Sequence, residues 1–65
     1  MNRADLVTIM AQAIRDAPLD PPAEVAEDAM MATNVRRALY LSYNIERRAA
    51  MIRRARYLAR KNEVR

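Results

Sequence analysis

Apolar residues recur every three or four positions through the first seventeen residues, as on one side of an amphipathic helix. The main members of this stripe are Leu6, Ile9, Met10 and Ile14. Asn2 is suited to cap the helix, with Asp5 in the first turn, where the helix dipole favours a negative charge. Since Pro18 ends the pattern, the spacing predicts a first helix over residues 3–17.

A short proline-rich segment, residues 18–22, is the clearest turn signal in the chain. Asp20 followed by Pro21 is a typical helix start, with an N-cap and then proline at the first helical position. This signal predicts a second helix over residues 21–32. Because so short a connection usually joins antiparallel neighbours, the two helices are predicted to form a helical hairpin.

The remaining chain lacks glycine and proline and predicts a long helix over residues 34–62. At about 100° per residue, its apolar side is turned by about half a turn from that of the second helix. A break at Thr33 and Asn34, two residue types that cap helices, accounts for this shift, and a helix continuous with the second is the alternative. The predicted fold is all-α, a hairpin followed by a long basic helix, in one small domain of residues 1–65.

Charge is divided unevenly between the two parts of the chain. Residues 1–35 hold two arginines against six acids, a net −4, whereas residues 36–65 hold ten cations against two acids, a net +8. Such asymmetry is typical of proteins that bind nucleic acid or membrane surfaces. Packing of the acidic hairpin on the basic helix is the plainer explanation. In that case the acids of the hairpin would pair with the arginines that flank the apolar side of the last helix, which are Arg37, Arg48, Arg53, Arg56 and Arg60.

Half of the cations in the last helix follow one line, on the side opposite Ile45. A row of cations binds a phosphate backbone, and a basic helix fits the major groove of DNA. We therefore predict a nucleic-acid-binding protein, DNA in preference to RNA, acting as a regulator or accessory factor. The predicted nucleic-acid-binding residues are Arg36, Tyr40, Tyr43, Arg47, Arg54, Lys61 and Arg65.

Apolar residues also occur on several sides of the last helix, more than the short hairpin can cover. A homo-oligomer or a tight protein partner is therefore predicted. The alternative function is a helical protein-interaction module, an assembly subunit of a larger particle or a small inhibitor of a protein target. The predicted interface residues are Leu41, Ile45, Met51, Ile52, Tyr57 and Leu58.

Two segments, residues 38–44 and 46–56, share features with known motifs. Ser42 could lie in the turn of a helix-turn-helix with Asn44 capping the second helix, but Arg48 stands where that motif needs an apolar residue, and no glycine eases the turn. Residues 46–56 resemble arginine-rich helical RNA-binding peptides in composition. Neither pattern establishes a family.

Catalysis has little support, because the chain has no histidine, no cysteine and no glycine-rich loop. We expect no enzyme activity, no catalytic residues, no cofactor and no metal site. No run of eighteen apolar residues occurs, so no membrane span is predicted. A cytoplasmic protein is expected, and the richness in alanine and arginine indicates a bacterium or one of its phages.

Overall fold

A computed structural model describes residues 1–63 of the chain and contains four α-helices in that range. These helices are α1 (Arg3–Asp16), α2 (Pro22–Met31), α3 (Asn34–Leu41) and α4 (Ile45–Glu63). The predicted all-α class and the hairpin followed by a long basic helix are confirmed. One detail differs, because the helix predicted over residues 34–62 is divided in two at residues 42–44.

The start of α1 is fixed by a capping box, formed by the predicted cap Asn2 together with Asp5. The Asp5 amide donates to Asn2 Oδ1 at 3.0 Å, and the Asn2 amide donates to Asp5 Oδ2 at 3.0 Å. Two amide groups that have no partner within the helix are satisfied in this way. The helix ends at Asp16, one residue before the predicted boundary.

The start of α2 lies one residue later than predicted. Pro21, and not Asp20, is the N-cap, with φ −58° and ψ 119°, and Pro22 is the first helical residue. A residue that precedes proline is sterically disfavoured in the helical region, so the Pro21-Pro22 pair shifts the start. Asp20 therefore remains in the loop, where it is exposed.

The break predicted at Thr33 and Asn34 is observed. Thr33 is extended, with φ −132° and ψ 154°, and its hydroxyl accepts the Arg36 amide at 3.1 Å. The alternative of one helix running from the second helix into the last is not what the structure shows. Since the direction changes here, α3 can pack against α2.

A second turn, at residues 42–44, separates α3 from α4. The side chain of Asn44 accepts the Arg47 amide at 2.8 Å and so caps α4. Arg48 closes the turn from the other side, donating from Nε to the Tyr43 carbonyl at 2.7 Å and from Nη2 to the Leu41 carbonyl at 3.0 Å. Arg48, which does not suit a helix-turn-helix motif, therefore stabilises the turn between α3 and α4.

The core lies between α1, α2 and α4, with α1 packed against both of the others. Its side chains are small or flexible, because the chain has no Phe or Trp to fill the centre. Tyr40 of α3 is the largest fully buried residue. The buried residues are Leu6, Val7, Met10, Ala11, Ala26, Met30, Tyr40, Met51, Ala55 and Ala59.

The buried side of α4 is not the one centred on Ile45. Ile45 is 77% exposed, whereas Met51, Ala55 and Ala59 form the buried line. At about 100° per residue this line is turned by about 80° from Ile45. Small alanines at two of the three positions leave little bulk between α1 and α4, which lets the helices pack closely.

Candidate functional site

The predicted line of cations and tyrosines is divided by the turn at residues 42–44. Arg36 and Tyr40 belong to α3, and Tyr43 lies in the turn, so they do not continue the line of α4. Arg47, Arg54 and Lys61 are exposed on α4. Arg65 lies outside the described residues.

Tyr40 is placed in the core and is not accessible to a ligand. Its ring is 1% exposed, and its hydroxyl donates to Glu27 Oε2 at 3.2 Å. The guanidinium carbon of Arg48 lies 5.6 Å from the ring centroid. Burial first, and then the Glu27 carboxylate, raises the pKa of Tyr40 above its ordinary 10.0, and Arg48 opposes this effect. Tyr40 therefore has a structural role in the core and is not part of the nucleic-acid-binding surface.

Three arginines around α3 bind backbone carbonyls at helix ends. Arg36 donates to the Ala29 carbonyl at 3.3 Å, and Arg37 donates to the Met31 carbonyl at 2.8 Å. Arg48 does the same at the end of α3. The chain has no glycine for the usual left-handed cap, and within residues 1–63 no residue has positive φ. Guanidinium groups satisfy these carbonyls instead.

These contacts also revise the role expected of the arginines that flank the apolar side. The sequence suggests that Arg37 and Arg48 pair with the acids of the hairpin. Their hydrogen bonds go to backbone carbonyls, and in the case of Arg37 also to Asn34 Oδ1 at 2.9 Å. Their main effect is thus on helix termination.

The outward half of α4, opposite its buried line, carries a broad set of cations that we call the basic face. All six side chains are exposed. They extend over fifteen residues, from Arg47 to Lys61, or about 21 Å along the helix axis. The basic face consists of Arg47, Arg53, Arg54, Arg56, Arg60 and Lys61.

Tyr57 lies in the middle of the basic face and is 45% exposed. The guanidinium carbon of Arg54 is 5.5 Å from its ring centroid, and Lys61 Nζ is 5.8 Å from the same point. Both cations are one helical turn away from Tyr57, so the contacts follow from the spacing. Tyr57, predicted as an interface residue, is therefore part of the basic face.

Two shallow depressions border the basic face near the hairpin loop. Arg53, Arg56 and Arg60 line one of about 270 Å³. The other, of about 230 Å³, has Arg56 and Arg60 on one side and Asp20 of the α1–α2 loop on the other, over an apolar floor. Asp20 thus shares a cavity with two arginines of the basic face.

A wider groove of about 600 Å³ runs between α1 and α4. Its floor is apolar, from Val7, Met51 and Leu58, and Arg3 and Arg54 stand at its rim. It has no buried charged or polar group that would hold a small ligand in one orientation, as binding pockets usually do.

Some of the predicted interface residues are buried in the core of the protein, and others are exposed to solvent. Met51 is fully buried in the core, so it is not free for a partner. Ile52 and Leu58 are partly buried against the core. Leu41 is 46% exposed and Ile45 77% exposed, on either side of the α3–α4 turn.

The acids of the hairpin lie mostly on the outside of α2, where Glu24, Glu27 and Asp28 are exposed. Within the described residues, no group of three or more carboxylate, histidine or cysteine side chains is placed to hold a metal ion. In the same part of the chain, no helix combines the length and apolarity needed to cross a membrane. What the surface does carry is an acidic helix, α2, and a basic helix, α4.

In comparisons with known proteins, no family model, no curated sequence and no solved structure matches this chain. The candidate site therefore rests on the geometry and charge of the basic face.

Proposed function

We propose that this protein binds nucleic acid through the basic face of α4, with DNA preferred to RNA. The observation that supports the proposal is the exposure of six cations on one half of a single helix. Each cation that neutralises a phosphate releases condensed counterions, a favourable term that does not depend on sequence. An exposed helix also fits the major groove of B-form DNA, whereas the major groove of A-form RNA is too deep and narrow.

The salt dependence of binding tests the proposal. Fluorescence anisotropy with a labelled mixed-sequence DNA duplex should give a plot of log K against log salt with a slope of about −4.5 to −5.5, for five or six phosphate contacts. Duplex RNA of the same sequence should bind more weakly. Absence of DNA binding at low salt would contradict the proposal, and equal binding of both duplexes would contradict the preference for DNA.

A matched pair of variants separates the basic face from net charge. Arg54→Gln should weaken binding about five- to tenfold at 0.1 M salt and make the slope shallower by about 1. Ala23→Glu changes the net charge by the same amount on α2, at an exposed first-turn position where an acid suits the helix dipole. It should change affinity far less. Equal losses would indicate an effect of net charge alone.

Self-association is a second candidate function, supported by the exposure of Leu41 and Ile45 beside the α3–α4 turn. Single exposed apolar residues are common, but two large ones four positions apart can form the centre of a contact between copies. Ile45→Asp tests this, because an acid in the first turn of α4 is compatible with the helix. Light scattering should show an oligomer for the natural protein and a monomer for the variant, and a monomeric natural protein would contradict this candidate.

A further inference from the structure

The residues on the outward half of α4 are arranged in three lines along the helix. At about 100° per residue, Arg47, Arg54 and Lys61 form one row, and Arg56 and Arg60 form a second row about 140° away around the axis. Between the rows runs a central line, with residues separated by four, three and four positions. The central line consists of Glu46, Ala50, Arg53 and Tyr57.

The separation of the two rows matches the width of a DNA groove. For a helix with an outer radius of about 5–6 Å, rows about 140° apart are separated by about 10 Å, and extended arginines widen this distance. The major groove of B-form DNA is about 12 Å wide. Each row can therefore reach a different phosphate backbone when α4 lies in the groove.

The central line has the residue types that read base pairs. Arginine donates two hydrogen bonds to guanine O6 and N7, glutamate accepts from the cytosine amino group, and alanine contacts the thymine methyl group. Glu46, Arg53 and Tyr57 are all exposed. Glu46 also suits the first turn of α4, where the helix dipole favours an acid, and its carboxylate would repel a phosphate placed on the central line.

We infer that α4 is a recognition helix, whose central line contacts base edges in the major groove while the two rows contact the backbones on either side. This inference rests on the proposed function and adds sequence discrimination to it. Arg53 is the main base-reading residue, and Arg54, its neighbour in the chain, is a phosphate-binding residue.

Selection from a library of random DNA duplexes tests the inference. The natural protein should enrich a preferred sequence that contains guanine. Arg53→Ala should lower affinity for the preferred sequence about 5- to 150-fold, as expected when one bidentate contact to a base is lost. It should also relax the base preference at a single position of that sequence. Arg54→Ala should weaken preferred and random sequences equally and make the salt slope shallower by about 1.

This pair of variants is well matched. Both remove one arginine from an exposed position of one helix and leave alanine, the best helix former, so both should fold. If no sequence is enriched, or if both variants weaken all sequences equally, the inference is wrong and the proposed DNA binding stands. If the natural protein binds no duplex at low salt, the proposed function itself fails.

Discussion

The arginines around α3 and those on the outward half of α4 share one side-chain type and differ in what they contact. Arg36, Arg37 and Arg48 donate to main-chain carbonyls at the ends of α2 and α3. Arg53 and Arg54 project from the middle of α4 and are exposed. The first group holds the ends of helices in place, and the second leaves its charge available to a partner.

This difference changes how the net +8 of residues 36–65 is understood. A guanidinium that is already bound to a carbonyl keeps its charge but is not free to turn towards a phosphate. The cations available for binding are therefore those of the basic face, which are all exposed. Substitutions in the two groups should have separable effects, on stability in one case and on affinity in the other.

The largest effect on stability is expected for Arg48→Ala. The change removes two charge-assisted hydrogen bonds, to the carbonyls of Leu41 and Tyr43, and the contact with the Tyr40 ring. The free energy of unfolding should fall by about 2–3 kcal/mol. A domain of this size has a total of only several kcal/mol, so the loss is a large part of it. Urea unfolding followed by circular dichroism measures it.

Arg53→Ala is the matched control, since it removes the same side chain from the exposed side of the same helix. Its stability should stay within about 0.5 kcal/mol of the natural protein, while DNA binding weakens. Arg48→Ala, assayed at a temperature where it is folded, should keep most of its affinity. The comparison fails if the two variants lose equal stability.

The starts of α1 and α3 were predictable from sequence because their causes are local. Asn2 and Thr33 each accept an amide three residues ahead, which a reader of the sequence can anticipate. The start of α2 was displaced by one residue because two prolines compete for the first position. Such errors are small and follow from neighbouring residues.

The α3–α4 turn and the buried side of α4 were harder to predict because their causes are distant along the chain. Arg48 reaches back seven residues to the Leu41 carbonyl, a contact that no local pattern signals. A helical wheel gives Ile45 more weight than Ala55, although Ala55 is fully buried and Ile45 is exposed. Close packing against α1 favours the small residue, and only the tertiary structure reveals this. For the same reason, the predicted line of binding residues included Arg36 of α3, whereas the basic face lies on α4 alone.

Tyr40→Phe removes the hydroxyl that donates to Glu27 but keeps the ring beside Arg48, so it should have a smaller effect. Loss of the hydrogen bond to Glu27 should lower the free energy of unfolding by about 1 kcal/mol near neutral pH. The pKa of Tyr40 is raised in the folded protein above its ordinary 10.0, so the folded state holds this proton more tightly than the unfolded state. Its contribution to stability is therefore complete below about pH 10 and is lost as the pH rises further.

The pH dependence of unfolding gives the control for this effect. Between pH 8 and pH 11 the natural protein should lose more stability than Tyr40→Phe does. Tyr57→Phe, at an exposed ring, should behave like the natural protein over the same range. If the natural protein and Tyr40→Phe lose stability in parallel, the burial of this hydroxyl has no energetic consequence.

Asn44→Ala changes the start of α4 without changing its charge. The lost cap to the Arg47 amide should cost about 1 kcal/mol, and Asn44→Asp should retain most of that energy. Amide hydrogen exchange should show faster exchange at Arg47 and Arg48 in the alanine variant. Base and phosphate contacts further along α4 should survive, so affinity for DNA should fall only slightly. A loss of affinity as large as that of Arg54→Gln would mean that the position of the helix start, and not its charge, controls binding.

The smallest expected effect concerns Asp20, which shares a cavity with Arg56 and Arg60 at the edge of the basic face. Its carboxylate lies where one row of cations would meet a phosphate backbone, and it should oppose binding. Asp20→Asn should therefore raise DNA affinity about two- to threefold at low salt, an effect that fades as salt screens exposed charges. Asp28→Asn makes the same change in net charge on the exposed side of α2 and should do less. Anisotropy titrations at two salt concentrations separate the two variants, and an equal gain from both would show that DNA senses the overall charge of the protein rather than this edge of α4.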